Sequence, residues 1–142
     1  IPVIVLGTHA TPRRADAPYD EAYTLPARLN AAGITFAITT SDDTAHTRNL
    51  PYNAAIAVAY GLDHDAGIKC LTLWAAQILG VGDTLGSIET GKAATLIVTN
   101  GDPLEVTTNT ERAFIDGRAI DLSNKQTKLA EKYREKYKQK KN

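Results

Sequence analysis

Two short apolar runs separated by one helical stretch constrain this chain more than any other feature of it. Ile1-Pro2-Val3-Ile4-Val5-Leu6 is a continuous apolar run, with Pro2 near its start, where a strand tolerates it. Ile34-Thr35-Phe36-Ala37-Ile38-Thr39 is a β-branched and aromatic run bounded upstream by Gly33. Between them, Tyr19 to Ala32 places Ala22, Leu25, Leu29 and Ala32 on one helical face, with Gly33 as terminator. Pro26 is the point at which the first turn can part from the rest. The order strand, helix, strand predicts two parallel strands joined by a right-handed crossover. Two such strands cannot bury both faces or close on themselves, so this reading requires further strands from outside the chain.

The second run ends in Thr40-Ser41-Asp42-Asp43. Carboxylates at the C-terminal tip of a parallel strand sit where α/β barrels keep their chemistry. Ser-Asp-Asp is also ordinary turn composition, because short polar side chains bond to nearby backbone. The first run leads into a polar loop, Gly7 to Arg14, in which His9 either faces a ligand or is a solvated imidazole.

Further along, Asn49 reads as the N-cap of a helix over Leu50 to Tyr60, with Pro51 in its first turn and Gly61 at its end. Another helix starts behind Asp63, where His64 reads as a surface residue. Thr72 reads as the cap of a short helix, Leu73 to Leu79, with Trp74 and Ile78 on one packing face. From Val81 the texture turns to β. Ala94 to Val98 reads as a strand, and Asp116-Gly117 as the turn of a two-residue hairpin. Ser123-Asn124-Lys125-Gln126 fits a capping box opening a final helix.

A chain of 142 residues with 43% hydrophobic content can bury a core. The single Cys70 cannot form an internal disulfide and reads as a small core residue. Net charge is zero, yet half of the Lys and Arg fall between Lys125 and Lys141. They share a helix with Leu129, Tyr133 and Tyr137, which favours a docked helix with a solvated cationic face over a nucleic-acid-binding tail. No apolar run approaches the roughly 20 residues of a membrane span. The expectation is a soluble chain with no membrane and no nucleic-acid partner, its compartment open between cytoplasm and periplasm. With no methionine and Ile1 first, the chain is expected to be a processed, cleaved or partial polypeptide.

Three ordered segments resemble the C-terminal region of the amidohydrolase superfamily. Thr72-Leu73-Trp74-Ala75-Ala76-Gln77-Ile78-Leu79-Gly80-Val81 is similar to its helix leading away from the barrel. Leu85-Gly86-Ser87-Ile88-Glu89-Thr90-Gly91-Lys92-Ala93-Ala94-Thr95-Leu96-Ile97-Val98 resembles its return strand, with Thr95 in place of the usual Asp. Phe114-Ile115-Asp116-Gly117-Arg118 resembles its closing hairpin. The Arg48-Asn49-Leu50-Pro51-Tyr52 context and the final helix suggest the imidazolonepropionase-like branch.

The resemblance implies an α/β fold: residues 1–80 as the last two units of a (β/α)8 barrel (strands seven and eight), residues 81–121 as part of a small β-sandwich, and residues 122–142 as a basic C-terminal helix. It implies hydrolysis of a cyclic amide or a peptide-like C–N bond in a small-molecule substrate. A divalent metal, zinc above others, would activate the water. Asp42, with Asp43 as rival, would be the strand-eight metal ligand and proton shuttle. His9 and Arg48 would be substrate contacts. The remaining ligands would come from the N-terminal part of the same protein or a companion chain, so the isolated chain is expected to be inactive and to hold no metal tightly. A homo-oligomer stays open. The competing expectation is a non-catalytic scaffold or assembly module with the same architecture.

Overall fold

The computed structural model describes residues 1–12, 14–40 and 44–139. In chain order its elements are β1 (Val3–Leu6), α1 (Glu21–Ala31), β2 (Phe36–Thr39), a 3-10 helix (Thr44–Asn49), α2 (Leu50–Ala59), α3 (His64–Lys69), α4 (Leu73–Ile78), β3 (Leu96–Thr99), β4 (Thr110–Ile115), β5 (Arg118–Ala119) and α5 (Lys125–Gln139). β1 and β2 are parallel, Val3 lying opposite Phe36 and Leu6 opposite Thr39. The helix joining them is unbroken by Pro26, which is fully buried. The only bond its ring nitrogen forfeits is the one to the Ala22 carbonyl, close to the helix start.

Side chains alternate along β1, so its two faces have different fates. Val5, Phe36 and Ile38 pack with Ala54, Ala57, Leu62, Ala66, Cys70 and Leu104 in one buried cluster. Phe36 is its largest fully buried side chain, and its ring meets Trp74 edge-on with centroids 5.4 Å apart. Burial pushes the Cys70 thiol up to about 12, and its Sγ donates to the Gly67 carbonyl at 3.1 Å. On the opposite face Ile4 and Leu6 stay 51% and 58% exposed. Each strand of the pair keeps one edge unpaired among the described residues.

The second sheet is antiparallel, in the order β3-β4-β5. Asp116 and Gly117 have φ of 53° and 76°, the two positive angles that a tight hairpin turn demands. The turn is tethered to the strand before it: Gly117 N donates to the Ala94 carbonyl at 2.9 Å and Asp116 N to Thr95 Oγ1 at 3.2 Å. The threonine hydroxyl thus supplies an acceptor at the position where the resembling family has aspartate. Gly86 is where the return segment crosses α4. A Cβ there would lie 2.6 Å from Ala76 Cβ and 3.0 Å from the Leu73 Cα, and φ is +92°.

Several local expectations are corrected. Asn49 makes no side-chain capping bond, because the 3-10 helix runs straight into α2; its carbonyl instead accepts from Asn53 Nδ2 at 3.2 Å. Thr72 does not cap α4 either, since its hydroxyl donates back to the Ile68 carbonyl at 2.8 Å. The last helix is capped one residue later than expected. Asn124 Oδ1 accepts from the backbone of Gln126 and Thr127 at 2.9 and 3.0 Å, while the Ser123 hydroxyl donates to Asp121. Nor is α5 docked. It buries none of its side chains, and Leu129, Tyr133 and Tyr137 are all exposed. Among the described residues no helix is long and apolar enough to cross a membrane.

Candidate active site

At the C-terminal ends of β1 and β2 lies an open hollow of about 510 Å³, lined by Leu6, Gly7, His9, Ala10, Thr40, His46, Asn49, Tyr52 and Asn53. That volume suits a small-molecule ligand, whose pockets run from roughly 300 to 1,000 Å³. The wall is built from two loops. One follows β1 and carries His9; the other follows β2 and becomes the 3-10 helix carrying His46. Parallel strands place such loops at one end by construction, which is why both arrive at the same hollow.

A buried polar knot holds the two loops. Thr8 N donates to Asn53 Oδ1 at 3.0 Å, and Thr8 Oγ1 donates to the Asn53 carbonyl at 2.6 Å. Asn53 Nδ2 donates in turn to the Asn49 carbonyl. Thr8 is fully buried and Asn53 nearly so. Burying these groups is tolerable because each is paired.

Of the residues singled out from sequence, His9 lines the hollow. Arg48 is exposed and absent from the lining, with its guanidinium 3.5 Å from the Ala45 carbonyl. Asp42 and Asp43 lie outside the described residues; they follow Thr40, which does line the hollow. Sequence reasoning had passed over His46, Tyr52, Thr8 and Asn53. His46 was legible only as part of a polar stretch, and the Thr8–Asn53 pairing spans 45 positions with no periodicity to announce it.

Among the described residues no three His, Cys, Asp or Glu side chains come together to hold a metal ion. A catalytic zinc takes about three protein ligands. The described residues by themselves therefore do not fit a catalytic metal.

A second polar contact lies away from the hollow. His64 Nε2 is 2.6 Å from Asp102 Oδ2, joining the start of α3 to the turn after β3. The hydrogen bond and charge of Asp102 hold the His64 imidazole above its ordinary value of 6.5, with Asp65 and Asp63 adding to the effect. The Leu104 amide and then His64 hold the Asp102 carboxyl below its ordinary value. Next to this pair Leu104 enters the core. His64 is thus a bridge between segments rather than a plain surface residue.

Known proteins resemble the chain as follows. Residues 15–123 match the model of the amidohydrolase family. A crystal structure of an amidohydrolase from Thermotoga maritima superposes with a TM-score of 0.67 and 31% identity, covering 78% of this chain and 29% of that one. The amidohydrolase tasK of Hapsidospora irregularis is 31% identical over 87 residues, 61% of this chain and 9% of that protein. A zinc-bound adenosine deaminase from Xanthomonas campestris shares the fold at a TM-score of 0.53 and 23% identity, covering 80% of this chain and 34% of that one. The chain thus spans about a third or less of these relatives.

Proposed function

Since the chain belongs to the amidohydrolase family, we propose that it is the C-terminal portion of a hydrolase of the imidazolonepropionase-like branch, splitting a cyclic amide or similar C–N bond in a small molecule. In this reading β1 and β2 are the last two strands of a (β/α)8 barrel, and residues 81–121 contribute to a β-sandwich followed by the basic helix. The observation that carries the proposal is the hollow at the C-terminal ends of two parallel strands, where such barrels keep their chemistry. The exposed Ile4 and Leu6 and the unpaired strand edges support completion by polypeptide from the same protein or a companion chain.

The proposed roles follow from residue chemistry. Asp42, with Asp43 its rival, is the strand-tip carboxylate that takes a proton as the new C–O bond forms and returns it to nitrogen as the C–N bond breaks. His9, exposed on the hollow, and Arg48 are the substrate contacts. Asp42 is also this chain's contribution to a divalent metal, zinc by analogy with the Xanthomonas deaminase, with the other ligands supplied from outside the chain. When bound, that metal supplies the charge that lets water act as a nucleophile near neutral pH.

In the intact enzyme Asp42→Ala should lower turnover on the order of 10³-fold, the scale of a lost general acid–base. Wild-type turnover in Asp42→Ala together with an inactive Asp43→Ala would move the role by one residue. Wild-type turnover in both would overturn the assignment. A scaffold or assembly module is the alternative, and no hydrolysis by the intact wild-type protein would favour it.

A further inference from the structure

We propose that Asn53 is a positioning residue that fixes the loop after β1 and the segment after β2 relative to each other, and so sets where His9 stands relative to His46 in the lining of the hollow. The inference rests on the hydrolytic reading above. Asn53 is 7% exposed, and its carboxamide is used at both ends. The oxygen accepts from Thr8 N at 3.0 Å, and the nitrogen donates to the Asn49 carbonyl at 3.2 Å, where the 3-10 helix ends. Thr8 adds a 2.6 Å bond from its hydroxyl to the Asn53 carbonyl.

Packing alone does not require this arrangement. An apolar side chain of similar size would fill the space without burying an amide. An aspartate would keep the bond from Thr8 N but lose the donor to Asn49, and would set a carboxylate against that carbonyl. The asparagine side chain thus joins Thr8 in the loop after β1 to the start of its own helix, four residues back at Asn49, where the 3-10 helix ends. One loop carries His9 and the other His46, and both histidines line the hollow. Misplacing reacting groups by about 1 Å can cost on the order of 10²-fold in rate, so the link between the two loops bears directly on catalysis.

The test uses the intact enzyme with Thr8→Ser, Thr8→Val, Asn53→Leu and His9→Ala. It follows amide hydrogen exchange together with kcat and KM on hydantoin, dihydrouracil and N-acetyl amino acids. Asn53→Leu should speed exchange at residues 7–10 and 45–49 together, leave β1 and β2 unchanged, and lower kcat about 10- to 100-fold with KM nearly constant. Thr8→Val should do the same more weakly, and Thr8→Ser should behave as wild type. In a His9→Ala background Asn53→Leu should cost little more in kcat. Faster exchange in one loop only, or throughout the chain, would overturn the proposal, as would a loss confined to KM. If both loops loosen while His9→Ala keeps full turnover, the proposed substrate contact of His9 fails and the clamp between the loops stands.

Discussion

Along β1 Val5 is buried while Ile4 and Leu6 stay exposed, and along β2 Phe36, Ala37 and Ile38 are all buried, whereas along β3, β4 and β5 Ala113 is the single buried residue. Both sheets leave large apolar side chains in water, but only the parallel pair recruits a partner layer from its own chain. The difference follows from connectivity. A parallel pair needs a long crossover, and the helix that supplies it, followed by α2 to α4, brings apolar surface to one face. The turn between β4 and β5 has two residues and brings nothing with it, and the longer connection between β3 and β4 contributes Leu104 to the core cluster. The stability of the chain therefore resides in the parallel layer. The antiparallel sheet is held to it by a few contacts, among them Gly86 against α4, Leu104 in the core and Asp102 on His64.

The sharpest way to break this contrast is to truncate one side chain in each region. Phe36→Ala removes a fully buried ring and its edge contact with Trp74, and should cost about 3–5 kcal/mol. Ile115→Ala, in a residue 56% exposed, should cost about 0.5 kcal/mol or less. Urea titration of both variants checks the pair, and equal losses would end the distinction between the regions.

A smaller effect is expected at the seam. Gly86→Ala puts a methyl 2.6 Å from Ala76 Cβ at a positive φ. Overpacking of this kind costs about 1–3 kcal/mol, and backbone strain adds to it. A melting temperature equal to wild type would mean that the return segment does not rest on α4 as described.

The smallest effect is a pH dependence. With its folded pKa raised, His64 contributes stability that is fully present below 6.5 and is lost as pH rises through the raised value. Asp102, lowered from 3.8, contributes above that value and loses its contribution as pH falls through the lowered one. The pair acts between these limits. Melting curves of wild type and His64→Gln should differ most at about pH 5 and converge in mildly alkaline buffer. A gap that stays constant through alkaline pH would assign the contact to packing.

Much of this fold was legible in the sequence, for identifiable reasons. The apolar runs at Val3–Leu6 and Phe36–Thr39, the Asp116-Gly117 turn and the Asp63 cap are local signals, and local signals survive into structure. What escaped notice is tertiary. The Thr8–Asn53 knot and the His64–Asp102 bridge join residues 45 and 38 positions apart, and no local pattern announces them. Asn49 and Thr72 misled because α2 continues directly from the 3-10 helix, leaving no free end for the Asn49 side chain, and because the Thr72 hydroxyl bonds back to the Ile68 carbonyl. The Leu129, Tyr133 and Tyr137 stripe suggested docking, yet an apolar stripe states only what a helix can bury. His9 was legible because a polar loop after a strand has a predictable destination, while His46 needed the course of the second loop.

At the centre stands the proposal that this chain contributes one part of a hydrolytic site whose remaining parts lie in other polypeptide. The most direct measurement compares the 142-residue chain with the intact enzyme, by elemental analysis for bound zinc and by hydrolysis of hydantoin, dihydrouracil and N-acetyl amino acids. The account predicts stoichiometric metal and turnover in the intact enzyme, with neither in the chain alone. Stoichiometric zinc and turnover in the 142-residue chain by itself would contradict it.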